Sequence, residues 1–313
     1  MQSPAPFARI GTRGSPLAMI QARMVRSMIA QLHGVAEELI EIHAVSTGGD
    51  RSQASNASLT EIGGKGLFTK EIDDAMLDGR LDIGVHCIKD MATRLTDGIA
   101  LTTILEREDP RDAFMSLTAG SIEQLPQGAK FGTSSIRRAA QVLRLRPDLQ
   151  IVPFRGNVGT RLQKLQDGVA DATMLAIAGL NRLGEAGRAT AILDMENFMP
   201  APAQAAIGLT IRDGDKRFAE LLAPLDHTPT RQTITAERAM LAVLDGSCRT
   251  PVGAISTLDG DLVTLQGQIL SLDGKTEFHT SASGTDPVAV GQQVGQTLLD
   301  LAGTEWLAQW ATQ

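Results

Sequence analysis

Lys130-Phe-Gly-Thr-Ser-Ser-Ile-Arg-Arg-Ala-Ala-Gln-Val-Leu-Arg-Leu145 and, five residues on, Gln150-Ile-Val-Pro-Phe-Arg-Gly-Asn-Val-Gly-Thr-Arg161 each run from a short apolar stretch through small polar residues into a helical pattern. Lys130–Gly132 and Gln150–Phe154 read as strands, Ser135–Leu145 and Val158–Gln166 as helices, and Ala172–Leu175 as the next strand. This alternation predicts parallel strands covered by helices. The same rhythm occupies the N-terminal third. Residues 8–12 read as a strand, and Ser15-Pro16 opens a helix to about Leu32, because Ser accepts from orphan N–H groups and Pro fits the first turn. Glu38–Val45 reads as a strand, Thr69–Asp78 as a helix with Ile72, Ala75 and Met76 on one face, and Leu81–His86 as a third strand.

Polar, Pro-punctuated stretches near 105–112 and at Met195–Pro202 predict two crossings between a hinged pair of α/β lobes. The first lobe is expected to hold residues 1–105 and 199–224, the second 106–198. After Pro224 the texture changes to a helix at Thr230–Leu244, a loop with Cys248, three alternating strand-like runs between Val252 and Ser283, and a helix from about Val288. Residues 225–313 therefore read as a smaller α+β domain, and at 313 residues several domains are the expected outcome.

The chain has 29 Lys+Arg against 36 Asp+Glu, a net charge of -7, and no Tyr. These features argue against a nucleic-acid surface, which needs positive charge and stacking aromatics. No apolar run approaches membrane-spanning length, and the first residues lack a signal-peptide pattern, so a soluble cytoplasmic protein is expected. Cys87 and Cys248 have no CxxC spacing and the five histidines are scattered, which leaves a metal site without support.

Against this acidic background, Arg137, Arg138, Arg155 and Arg161 stand beside hydroxyl and glycine residues where strands turn into helices. Guanidinium forks and helix-start N–H groups together suit carboxylates or phosphates. Gly63-Gly-Lys-Gly66 lacks the hydroxyl after Lys65 that a phosphate-binding P-loop needs, so it reads as an anion-contacting loop or a surface turn. Asp82-Ile-Gly-Val-His-Cys-Ile-Lys-Asp90 carries Lys89 and Asp90 to the carboxyl end of a buried strand, where open α/β sheets place ligands. Alone, the pair also fits an exposed loop contact. Cys248 lies in a turn beside Arg249, which favours thiolate, although an inert buried cysteine fits the residues as well.

Taken together these segments resemble the porphobilinogen deaminase (hydroxymethylbilane synthase) family over essentially the whole chain. The resemblance is carried by Arg9-Ile-Gly-Thr-Arg-Gly-Ser-Pro-Leu-Ala18, Gly63-Gly-Lys-Gly-Leu-Phe-Thr-Lys-Glu71, Glu106-Arg-Glu-Asp-Pro-Arg-Asp-Ala-Phe114, the two arginine segments, Ala178-Gly-Leu-Asn-Arg-Leu183 and Thr235-Ala-Glu-Arg-Ala-Met240. It implies two periplasmic-binding-protein-like lobes and a third domain, a dipyrromethane cofactor held by a thioether to Cys248, and a monomer. The implied reaction joins four porphobilinogens head to tail, releases ammonia each time and frees a linear tetrapyrrole by adding water. It also implies Asp90 as the catalytic carboxylate, and Lys65, Lys89, Thr133, Ser134, Arg137, Arg138 and Arg155 as cofactor contacts. Arg13, Ser15, Arg155, Arg161 and Arg182 are the implied substrate contacts. Each pyrrole carries an acetate and a propionate, so a growing chain of them needs many paired donors.

The chain departs from the family pattern at Cys87, where Ser is usual, at Ala92, where Pro is common, and at Glu61, where some members have Lys. Ala201-Pro-Ala-Gln-Ala-Ala206 replaces a stretch that often has Gly on both sides of the Gln, which predicts reduced backbone freedom at the crossing. Two other functions fit parts of the sequence. A non-catalytic anion-binding module would yield no product from porphobilinogen, and a cysteine-dependent acyl-transfer enzyme would lose activity on thiol alkylation.

Overall fold

The computed structural model describes residues 6–48, 68–244 and 250–303. In chain order the elements used below are β1 (Ala8–Arg13), α1 (Pro16–His33), β2 (Ile40–Val45), α2 (Lys70–Leu77), β3 (Ile83–Cys87), β4 (Ile99–Ile104), β5 (Asp112–Ser116), β6 (Lys130–Gly132), α3 (Ile136–Leu145), β7 (Gln150–Val152), α4 (Val158–Gln166), β8 (Ala172–Ala176), α5 (Ile177–Leu183), β9 (Ala191–Ile192), β10 (Ile207–Arg212), α6 (Lys216–Leu222), α7 (Thr228–Val243), β11 (Val252–Asp259), β12 (Leu262–Leu270), β13 (Glu277–Gly284) and α8 (Pro287–Ala302). The chain divides into two compact units, one of residues 1–107 and 206–231, the other of 108–205 and 232–313.

The first unit is built on a sheet of order β2-β1-β3-β10-β4. Helix α1 begins where Ser15 accepts from the Ala18 N–H, and ends at Gly34, whose left-handed backbone lets its N–H reach the Ala30 carbonyl. Ala18, Ala22, Val25 and Ile29 recur at helical spacing and are buried with Ala8, Ile10, Ile83 and Val85 from the sheet. Burying each Val or Ile side chain of this kind contributes about 1.5–3 kcal/mol.

The second unit contains a sheet of order β7-β6-β8-β5-β9. Neighbouring residues of β5 face opposite ways: Phe114 packs with Phe131, Val142 and Met174, while Ala113 and Met115 pack with Phe154, Leu165 and Leu175. Both faces are therefore covered, as an α/β sheet requires. In the same unit β11, β12 and β13 form an antiparallel meander. Met240 of α7 and Val294 and Leu298 of α8 share its core with Val252, Val263 and Leu265.

The prediction of parallel strands holds for β2-β1-β3 and for β7-β6-β8, whereas β10 is antiparallel to both β3 and β4, and β5 is antiparallel to β8 and β9. The reason is topological: β10 arrives from the other unit, so no crossover helix dictates its direction. The second sequence strand is also shorter than read, ending at Val152, because Pro153 has no N–H for the ladder. Residues 199–205 belong to the second unit, tied there by Arg137 to the Met199 carbonyl at 2.7 Å and by Gln204 to Asp112 at 2.8 Å.

Candidate functional site

Two clusters of polar side chains arise at the ends of parallel strands, one in each unit. In the first unit the carboxyl ends of β1 and β3 and the start of α1 enclose a cavity of about 70 Å³ lined by Arg13, Ser15, Gln21, Phe68, Cys87 and Asp90, among others. Asp90 ends a single 3-10 turn that follows β3 directly, which holds it and Lys89 at the strand's carboxyl end. The Arg13 guanidinium lies 4.3 Å from the Phe68 ring centre, a cation–π placement that steadies a long side chain at the cavity wall. Asp90, Arg13 and Ser15 are half-buried, so a substrate can reach them.

Two features of this cavity were not read from the sequence. Gln21 is buried and its amide meets the Cys87 thiol, with Nε2 at 3.2 Å from Sγ and Sγ at 3.4 Å from Oε1. The two residues are 66 positions apart, and the only sequence signal was a polar residue on the buried face of α1. His86 is also buried, bonded to Thr210 Oγ1 at 3.0 Å, and burial pushes its pKa down to about 4. A neutral imidazole therefore stands beside the cavity near pH 7.

In the second unit the start of α3 gathers Thr133, Ser134, Arg137 and Arg138. Ser135 caps the helix by accepting from the Arg138 N–H at 3.4 Å, and Ser134 Oγ accepts from the Phe154 N–H at 3.0 Å. Both arginines turn inward onto Asp112, the first residue of β5. Arg137 Nη2 lies 2.8 Å from Oδ2, and Arg138 Nη2 and Nε lie 2.7 and 3.1 Å from Oδ1 and Oδ2. Gln204 Nε2 adds a further bond to Oδ1 at 2.8 Å. Arg137, Arg138 and Asp112 are 4%, 6% and 0% exposed, so the group is removed from water. Burial alone would push the Asp112 carboxyl up, but the charges of Arg138 and Arg137 and their hydrogen bonds win and hold it far below the usual carboxylate range.

Arg155 and Arg161 are half-buried around the start of α4, where Asn157 accepts from the Thr160 N–H at 2.8 Å, and Arg161 Nε donates to the Gly156 carbonyl at 2.9 Å. Arg182, in the last turn of α5, donates to the Ala205 carbonyl at 2.7 Å. The structure thus gathers Arg13, Ser15 and Asp90 at one cavity, and Arg137 and Arg138 on one carboxylate. Lys65 and Cys248 lie outside the described residues. Asp112 carries no role in the sequence reading; its signal was an acid heading the otherwise apolar strand Ala113-Phe-Met115. At the crossing, Ala203 and Ala205 adopt φ of 60° and 73°, the left-handed region that favours glycine.

Among the described residues no helix is long and apolar enough to cross a membrane. A family model described as the porphobilinogen deaminase, dipyromethane cofactor binding domain, matches residues 8–220, and one described as the porphobilinogen deaminase, C-terminal domain, matches 231–300. A porphobilinogen deaminase of Nitrobacter winogradskyi is 46% identical over 307 residues, covering 97% of this chain and 96% of the relative. More distant likenesses include a putative methionine-binding lipoprotein of Bacillus subtilis, with 12% identity, a TM-score of 0.43 and coverage of 70% of this chain and 89% of that one. A periplasmic substrate-binding protein of an ABC transporter from Coxiella burnetii has 16% identity, a TM-score of 0.42 and coverage of 74% and 97%.

Proposed function

The chain belongs to the porphobilinogen deaminase family, and from that premise we propose that Asp90 is its catalytic carboxylate, acting at the cavity it shares with Arg13 and Ser15. The activity is that of a transferase of tetrapyrrole biosynthesis. It joins four porphobilinogens head to tail on a dipyrromethane, with loss of ammonia at each step, and then releases hydroxymethylbilane. The observation that carries the assignment of Asp90 is its position: a half-buried carboxylate at the carboxyl end of β3, opposite a cationic and a hydroxyl side chain at the same cavity.

The chemistry asks for that arrangement. When the aminomethyl C–N bond of porphobilinogen breaks, ammonia carries away the electron pair and the pyrrole is left cationic. A fixed carboxylate stabilises that developing charge, an effect worth roughly 3–4 kcal/mol per group. Arg13 and Ser15 are placed to take the acetate or propionate of the same ring, holding it in the orientation in which Asp90 is useful. Arg155, Arg161 and Arg182 are the remaining substrate contacts, each presenting a planar fork suited to a carboxylate.

The residues of the second unit fit a cofactor with several carboxylates. Two buried guanidiniums share one carboxylate at Asp112, so the group has one positive charge in excess, at the positive end of α3. Arg137, Arg138, Thr133 and Ser134, together with Lys89, Lys65 and Arg155, are the residues that would hold the dipyrromethane, with Cys248 as its thioether anchor. When bound, that group supplies the nucleophilic pyrrole carbon on which the product is built. With His86 neutral near pH 7, Asp90 supplies a carboxylate to the cavity lining beside an uncharged imidazole. A monomer working in the cytoplasm is the reading that family membership favours, and the net charge of -7 argues against nucleic-acid partners.

Incubation of the purified chain with porphobilinogen, followed by assay of ammonia and of a linear tetrapyrrole, tests the activity. Peptide mapping tests the anchor: the expected result is a mass increment of two linked pyrroles on the peptide containing Cys248. Product formation by a chain with an unmodified Cys248 would remove the anchor assignment while leaving the activity.

A further inference from the structure

A line of buried amides joins the arginine pair to the antiparallel sheet that follows residues 245–249. Arg137 Nη1 donates to Gln141 Oε1 at 2.9 Å and to the Met199 carbonyl at 2.7 Å. Gln141 Nε2 donates to that same carbonyl at 2.9 Å and to Gln268 Oε1 at 3.1 Å. Gln268 Nε2 donates to Glu277 Oε1 at 2.5 Å, and Glu277 Oε2 accepts from Arg144 Nη1 at 2.6 Å. Gln141 and Gln268 are 0% and 1% exposed, so neither amide has water as an alternative partner.

The direction of every bond in this line is forced by its charged ends. A guanidinium can only donate, so Gln141 must turn its oxygen to Arg137 and its nitrogen to Gln268. A carboxylate can only accept, so Gln268 must turn its nitrogen to Glu277 and its oxygen to Gln141. Arg137 Nε, by contrast, is buried without a hydrogen-bond partner among the described residues. The Arg137 fork is therefore aimed by its two Nη groups, one on Asp112 and the other on Gln141 and Met199.

A second, independent set of contacts fixes the same place. Gln268 pairs with Gly253 across β12 and β11. A Cβ on Gly253 would come within 2.9 Å of Met199 Cβ and 3.3 Å of Gln268 Oε1, so β11 is pressed directly onto the residues that aim Arg137. At the far end, the turn between β12 and β13 packs Gly274 so tightly that a Cβ there would collide with the backbone of Ala140 and Arg144 in α3. The helix that presents Arg137 and the strand that begins just after residues 245–249 are thus held in register by Gln268 and its neighbours.

We propose that Gln268 is a positioning residue for the cofactor: through Gln141 it fixes the Arg137 fork relative to β11. This rests on the reading in which Arg137 takes a cofactor carboxylate and Cys248 anchors the cofactor. Gln268 acts by keeping the charge that receives the carboxylate at a constant distance from β11, the strand that begins after the anchor in the chain.

The test uses the purified full-length chain and follows, by intact-protein mass, the share of molecules with the two-pyrrole increment and the rate at which porphobilinogen loads cofactor-free chains. For Gln268→Met, which keeps the volume and removes both hydrogen bonds, loading is expected to slow about tenfold at a temperature well below the melting transition. A purely structural role would lower the melting temperature and leave that rate unchanged. The exchange pair Gln268→Glu with Glu277→Gln restores every bond, since Glu at 268 accepts from Gln141 and from Gln at 277, which still accepts from Arg144; it is expected to load at the wild-type rate. Wild-type loading by Gln268→Met, or an exchange pair as slow as that single variant, overturns the proposal. A wild-type chain that carries no increment at Cys248 and cannot be loaded overturns the anchor reading first, and this proposal with it.

Discussion

The two units treat charge in opposite ways. Around the cavity of the first, Arg13, Ser15 and Asp90 are half-buried, on β1, at the N-cap of α1 and on the turn after β3. In the second, Arg137 and Arg138 are almost fully enclosed and already bonded to Asp112. A group that must respond to charge appearing during a reaction has to face the substrate. A group that must hold a permanent anion gains from being fixed beforehand, because orientation is then settled by the fold and not by binding. The difference separates reaction from retention, with Asp90 assigned to the first task and the arginine pair to the second.

The sharpest way to break the retention side is Asp112→Ala. It leaves two guanidiniums buried without their shared carboxylate, and removing one partner of such a buried group costs about 3–5 kcal/mol. A fall of that size in urea unfolding free energy is expected, together with loss of the two-pyrrole mass increment. A change below about 1 kcal/mol would show that the pair is hydrated or otherwise compensated.

His86 tests the reaction side by pH. Burial holds its folded pKa at about 4, against 6.5 for an ordinary histidine, so the unfolded chain binds more protons between those limits. Its contribution is complete above pH 6.5 and is lost as pH falls towards 4, amounting to about 3 kcal/mol over that window. His86→Gln is expected to flatten the decline of unfolding free energy between pH 6.5 and 4; an unchanged slope would place the titration on other groups.

The crossing gives the smallest effect. Ala203 and Ala205 have left-handed backbones that cost an L-residue about 1–2 kcal/mol, partly offset because glycine gains entropy in the unfolded chain. Ala203→Gly is therefore expected to raise stability by about 0.5–1 kcal/mol, read as a higher urea midpoint. Lower stability would mean that the Ala203 side chain, 1% exposed, contributes more by packing than its backbone loses.

Much of this contrast was legible in the sequence because it is local. Ser15-Pro16, the strand-to-helix turn at Ser135 and the carboxyl-end position of Asp90 all follow from neighbours within a few residues, and the structure places each where the pattern put it. What escaped is set by tertiary structure. Asp112 stands 26 positions from Arg138, so its pairing could not be read from spacing. The antiparallel course of β10 depends on where the chain returns from the other unit, and the link from Gln141 to Gln268 spans 127 positions. The departures were legible as residues but not as consequences: Cys87 meets Gln21 through a thiol, and the alanines of the crossing carry positive φ.

Asp90 is proposed to serve the reaction and not retention of the cofactor, and the purified Asp90→Asn chain tests this when cofactor loading and turnover are measured on one sample. The expected result is a wild-type mass increment on the Cys248 peptide and a rate of tetrapyrrole formation lower by about 10²–10³-fold. A loaded Asp90→Asn chain that forms product at close to the wild-type rate would contradict it.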